Sequence, residues 1–119
     1  PYLILRTESA LGLPSLPHFT TRTGTLISAD TAAALADLMA NNVTQTYGAS
    51  RFPNMDLCAK SGTAEVGGGQ APHAWFTGFA PADHPEIAVT VIIEGIGSGS
   101  DYAVPIAKRI FDAYFNAGF

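Results

Sequence analysis

The sequence predicts an α/β (α+β) fold, an antiparallel sheet flanked by helices. Residues 55–65, 74–80 and 86–94 are strand-length segments joined by short connections bearing Gly, Pro and Asp, the spacing of successive antiparallel strands. One helix-period apolar stripe stands before them and another after them. With 119 residues the chain is at most one domain.

Residues 2–6 (Tyr-Leu-Ile-Leu-Arg) are expected to be extended, and Gly12, Pro14, Pro17 and Gly24 make 11–24 a loop. Ser28 is placed to cap a helix over 28–40, with Asp30 in the first turn, where a carboxylate complements the helix dipole. Ala32, Leu35, Ala36 and Met39 recur at i, i+3, i+4 and i+7 and are expected to form its buried face. Asn41, Asn42 and then Gly48 mark the far end of that helix or of a following turn, and the polar residues 44–54 are expected to be a loop. The 55–65 strand runs into Val66-Gly67-Gly68-Gly69, a turn. In the next strand Trp75, Thr77 and Phe79 alternate with Ala74, Phe76 and Gly78, and residues 81–85 (Pro-Ala-Asp-His-Pro) connect to the third. There Ile87, Val89, Val91 and Ile93 face one side and Ala88 and Ile92 the other, so a central strand covered on both faces is expected. A Gly/Ser loop over 95–100 leads to a last helix over 101–116. Its stripe is Ala103, Ile106, Ala107, Ile110 and Tyr114, and Pro105 is tolerated near its first turn.

Composition narrows the function. Hydrophobic residues make up 47% and charged residues 13%, against about 25% charged in a typical soluble domain, which points to apolar surface facing more protein. A net charge of −4 with six basic residues argues against nucleic acid as a partner. The lone Cys58 builds no disulfide framework. The most apolar stretch, 87–93, is too short to span a bilayer, and the first residues lack the charged and apolar regions of a signal peptide. The chain opens in strand-like sequence without a Met, and its N-terminus is expected to fall inside a domain.

The chemistry concentrates in Lys60-Ser61-Gly62-Thr63, within Lys-Ser-Gly-Thr-Ala-Glu-Val-Gly-Gly-Gly. On an exposed strand edge, Lys60 supplies positive charge for an anion. Ser61 and Thr63 alternate with Gly62, so both hydroxyls point to one face and can hold a carboxylate. Gly62 admits close approach of a peptide that pairs as an added strand. The Thr63 backbone N–H is then free to stabilise an oxyanion. These are the needs of an enzyme that binds a peptide ending in a free carboxylate.

The tetrad, followed by Pro72-His73-Ala74-Trp75-Phe76-Thr77-Gly78-Phe79-Ala80-Pro81, resembles the C-terminal part of a penicillin-binding protein transpeptidase domain of the monofunctional class B group. Ile87-Ala88-Val89-Thr90-Val91-Ile92-Ile93-Glu94 and Ala103-Val104-Pro105-Ile106-Ala107 fit as well, and the resemblance covers about residues 28–117. It implies a partial β-lactamase/transpeptidase-like fold in which residues 1–119 are the C-terminal portion of one domain. It implies a serine acyl-transferase that attacks the D-alanyl-D-alanine bond of a peptidoglycan stem peptide, releases D-alanine and cross-links through an amine. β-Lactam antibiotics would acylate the same serine. Lys60 would be the catalytic anchor, with Ser61, Gly62 and Thr63 binding substrate and the Thr63 N–H completing half of the oxyanion hole. Ser61 stands where many relatives carry Thr. No metal or organic cofactor is implied, and the parent would work at the extracytoplasmic face of the cell membrane, anchored by a helix outside this chain.

The nucleophile is missing. The two lysines, Lys60 and Lys108, are preceded at three residues by Leu57 and Pro105, so no S-x-x-K exists, and no Ser-x-Asn occurs. Tyr114-Phe115-Asn116 matches a variant of that loop by letter but ends a helix. The chain therefore holds about half of a site, is expected to be inactive alone, and has the missing N-terminal part of its own domain as its first partner.

Bland explanations cover the other conspicuous residues. Lys60-Ser61 is no nucleotide loop, since Asn54 and Ala59 stand where glycines are needed. Gly67-Gly68-Gly69 precedes a strand, so it is a turn and not a phosphate cradle. His18, His73, His84 and Cys58 lack metal-ligand spacing. Trp75 and Phe76 read as packing, and Cys58 as a small buried residue. Glu65 either orients Lys60 or solvates the strand end.

Two rival functions fit the same sequence: a serine β-lactamase or β-lactam sensor, which shares the tetrad, and a non-catalytic module that binds D-alanyl-D-alanine. Because relatives place an earlier strand beside residues 86–94, this chain is expected to leave that edge unpaired, which invites a homo-oligomer. Light scattering at high concentration is expected to show self-association of the isolated chain; a well-behaved monomer sinks the expectation.

Overall fold

The computed structural model describes residues 7–8, 14–15, 24–48 and 50–117. The expected extended segment 2–6 lies outside them, as does most of the expected loop 11–24. Within that loop, β2 (Pro14–Ser15) pairs antiparallel with β1 (Thr7–Glu8).

Helix α1 (Ala29–Asn42) starts at the expected cap, where Ser28 Oγ accepts from the Thr31 N–H at 3.1 Å. The expected burial of Ala32 and Leu35 is not found. No residue of α1 is fully buried; Ala36, Met39 and Ala40 are half covered, and Leu38 is 67% exposed. The helix leans on the sheet by one narrow edge, so its apolar stripe outruns the surface available to cover it. A π-helical turn, Val43–Tyr47, extends it and ends at Gly48 with φ 77°. The expected polar loop over 44–54 therefore contributes core: Tyr47 and Phe52 are buried, as is Val43 just before it.

The main sheet is the predicted antiparallel meander, in the order β3 (Cys58–Ala64), β4 (His73–Ala80), β5 (Ile87–Ile93). Gly67, Gly68 and Gly69 turn the β3–β4 connection, all in the left-handed region at φ 76°, 62° and 72°. In β4 the expected alternation holds, with Ala74, Phe76 and Gly78 buried and Trp75 and Thr77 exposed. The expectation of a central, doubly covered β5 does not hold. Among the described residues it ends the sheet, with Val89 and Val91 buried but Ala88, Thr90 and Ile92 exposed. Nothing among those residues lies over that second face of β5, so its apolar character has no partner here.

A second π-helical turn, Gly99–Ala103, leads into α2 (Val104–Ala117), and Pro105 lies in the first turn of α2. The buried stripe is Ala103, Val104, Ala107 and Phe111, while Ile106 and Ile110 remain 40% exposed. The helix is thus rotated from the expected stripe: Phe111 turns inward because an aromatic pocket awaits it. Its ring meets Phe76 edge-on at 6.4 Å and 72°, and Phe76 in turn meets Phe52 and Tyr47. Such ring pairs add about 0.5–1.5 kcal/mol beyond their buried area.

Phe111→Ala is expected to lower stability by about 3–5 kcal/mol and Ile110→Ala by only about 1 kcal/mol, read from denaturant midpoints. Equal losses would contradict the rotated stripe.

Candidate functional site

β3 carries all four tetrad residues. Its inner side is laddered to β4, with Lys60 opposite Thr77, Ser61 opposite Phe76, Gly62 opposite Trp75 and Thr63 opposite Ala74. In an antiparallel strand the backbone polar groups of alternate residues point to opposite sides. The Ala59 carbonyl accepts from Asn42 Nδ2 at 2.9 Å, off the sheet. Ala59, Ser61 and Thr63 therefore direct N–H and C=O to the outer edge, where no described strand pairs with β3. The Thr63 N–H lies on that open edge.

The structure separates the tetrad side chains by face. Ser61 and Thr63 share one face, Ser61 being 8% exposed and Thr63 open. Their hydroxyls meet the turn before α2: Ser61 Oγ lies 3.3 Å from Ser100 Oγ, and Thr63 Oγ1 accepts from the Gly99 N–H at 3.2 Å. Lys60 projects from the opposite, exposed face beside Thr77, whose hydroxyl bonds that of Thr90 at 3.1 Å. The Lys60 ammonium curls back to the Ser61 carbonyl at 2.6 Å, which puts positive charge on the outer edge itself. Glu65 is exposed beyond the strand end.

Sequence reasoning passed over the groups that hold this strand. Asn42 closes α1 onto the Ala59 carbonyl, and Arg51 Nη1 donates to the Ser100 carbonyl at 3.1 Å. His73 Nδ1 accepts from the Gly95 N–H at 2.9 Å, while the N–H groups of Ile96 and Gly97 bond the Pro72 carbonyl. The 95–98 segment is thus pinned to the start of β4 and delivers Gly99 and Ser100 to the tetrad. The one available signal was the run of Gly and Ser between a strand and a helix, which reads equally as slack loop.

What this arrangement offers chemically is an unpaired strand edge with an outward N–H, a cation, and two hydroxyls on a face beside it. The penicillin binding protein transpeptidase domain family matches residues 15–112. The peptidoglycan D,D-transpeptidase PbpA of Mycobacterium tuberculosis is 35% identical over 127 aligned residues, covering 95% of this chain and 25% of that protein. The protein of the same name from Mycolicibacterium smegmatis is 37% identical, covering 99% of this chain and 26% of its own length. A solved structure of penicillin-binding protein A from M. tuberculosis, a ceftriaxone acyl-enzyme complex, is similar with a TM-score of 0.71 at 31% identity. The match covers 95% of this chain and 27% of that one. The chain spans about a quarter of the length of these relatives.

Behind the tetrad, Cys58 is 1% exposed under α1, its Sγ 3.3 Å from the Ala36 carbonyl. Burial, aided by the Asp56 and Asp37 carboxylates, raises its pKa above the ordinary 9.0, which keeps the thiol protonated and unreactive. Iodoacetamide at pH 8 is expected to spare Cys58 in the folded protein and to modify it rapidly in denaturant. Fast alkylation without denaturant would show that the thiol is reachable.

Proposed function

The chain belongs to the penicillin-binding protein transpeptidase domain family, and we propose that the protein carrying it is a serine-type peptidoglycan D,D-transpeptidase. The observation that supports this reading is the Lys60–Thr63 tetrad on a strand edge that no described strand pairs, with the Thr63 N–H directed outward. Residues 1–119 are the C-terminal portion of one transpeptidase domain, and an upstream S-x-x-K segment supplies the nucleophile.

A stem peptide ending in D-alanyl-D-alanine lies along the outer edge of β3 as an added strand. The upstream serine oxygen attacks the carbonyl carbon of the penultimate residue. The tetrahedral oxyanion is stabilised by the Thr63 N–H together with a second donor outside this chain. The C–N bond breaks, D-alanine leaves with the proton, and the ester is resolved by an acceptor amine, which forms the new peptide bond. Ser61 and Thr63 donate to the terminal carboxylate, Gly62 gives room for close approach, and Lys60 adds the positive field that favours an anionic substrate. A β-lactam presents a similar carboxylate and carbonyl, so it acylates the same serine. The reaction takes place outside the cytoplasmic membrane. Among the described residues no helix is long and apolar enough to cross a bilayer.

Intact mass after exposure to a penicillin tests this reading on the full-length protein and on the isolated chain in parallel. A covalent adduct on the full-length protein alone is expected. No adduct on either favours a non-catalytic binding module, and an adduct on the isolated chain removes the upstream nucleophile.

A further inference from the structure

Gly99 and Ser100 open the π-helical turn before α2, and both meet the tetrad. Gly99 lies so close to the β3–β4 ladder that a Cβ there would fall 2.6 Å from the Trp75 carbonyl oxygen and would overlap the Gly62 carbonyl as well. Only glycine fits such an approach. That seating brings the Gly99 N–H to Thr63 Oγ1 at 3.2 Å and the Ser100 hydroxyl to Ser61 Oγ at 3.3 Å. The Arg51 guanidinium holds the Ser100 carbonyl at 3.1 Å, so the turn is anchored from a separate loop.

Donor direction decides what these contacts do. A backbone N–H only donates, so Thr63 Oγ1 is the acceptor and keeps its own hydrogen for another partner. A carboxylate only accepts, so a tetrad hydroxyl that binds one must donate to it. Ser100 donating to Ser61 Oγ puts Ser61 in the same state as Thr63.

We propose that Gly99 and Ser100 are positioning residues of the carboxylate subsite: by donating to the Thr63 and Ser61 oxygens they direct both hydroxyl hydrogens to the carboxylate of the bound acyl donor. The proposal rests on the transpeptidase reading of the tetrad and adds to it the machinery that sets the hydroxyls. Ser100 touches no reacting atom; it acts through Ser61.

The test compares acylation of the full-length protein by a penicillin and by the methyl ester of the same penicillin, which lacks the carboxylate. Ser100→Ala is expected to slow the first by about fivefold to tenfold and to leave the second unchanged. The ratio of the two rate constants is internal to each variant, so a general loss of packing moves both rates together. Ser100→Thr, which keeps a hydroxyl, is expected to restore the ratio, and in a Ser61→Ala background the Ser100 change is expected to have no further effect. An unchanged ratio in S100A, or two rates that fall together, overturns the positioning role and leaves the transpeptidase reading standing. A wild-type protein that no penicillin acylates overturns that reading, and the proposal with it.

Discussion

Among the described residues β3 takes its ladder of backbone hydrogen bonds from one side only, which leaves its other edge unpaired. A free edge is the least protected part of a sheet. The fold meets this by loading the faces of the strand. Cys58 is roofed by α1, Ala59 is fully buried in the core, and Gly62 lies beneath Gly99. At the edge itself the described contacts are small: Asn42 on the Ala59 carbonyl and the strand's own Lys60 on that of Ser61. Among the described residues no strand pairs with the side on which the Thr63 N–H lies.

The core and the site share residues. Phe76 stands opposite Ser61 in the β3–β4 register, and the same ring is the centre of the aromatic group formed with Tyr47, Phe52 and Phe111. Packing that fixes Phe76 therefore fixes the strand pair that presents the tetrad. The π-helical turn that leads into α2 adds a second tie, through Gly99 and Ser100. One helix thus supplies the ring that closes the core and the turn that meets the hydroxyls, which couples stability to site geometry without any long-range device.

Much of this was legible in the sequence, for reasons that can be stated residue by residue. Strand alternation is strict in 74–80, so Phe76 and Trp75 fell on their proper faces. Ser28 is a cap by chemistry alone, and the Lys60–Thr63 motif names its own strand. The helices were harder, since periodicity gives a stripe but not the partner. In α2 two competing stripes exist, and the pocket around Phe76 chooses the one with Phe111 over the one with Ile106 and Ile110. In α1 and β5 the apolar residues exceed what the described residues cover. Asn42, Arg51 and Ser100 were illegible because their partners are backbone carbonyls or a lone hydroxyl far away in sequence, and such contacts leave no periodic trace.

The hairpin tip beyond the tetrad selects by handedness and not by size. A Cβ on Gly67, Gly68 or Gly69 would touch nothing within 4 Å, so there is space for any side chain. All three nevertheless sit where an L-residue with a Cβ is disfavoured by roughly 1–2 kcal/mol each. An exposed, uncrowded loop would ordinarily be the part of a protein most open to sequence drift. Here it favours glycine, with Asn and Asp as the least costly departures. The path by which the chain leaves β3 and returns as β4 is in that sense held by chirality and not by packing.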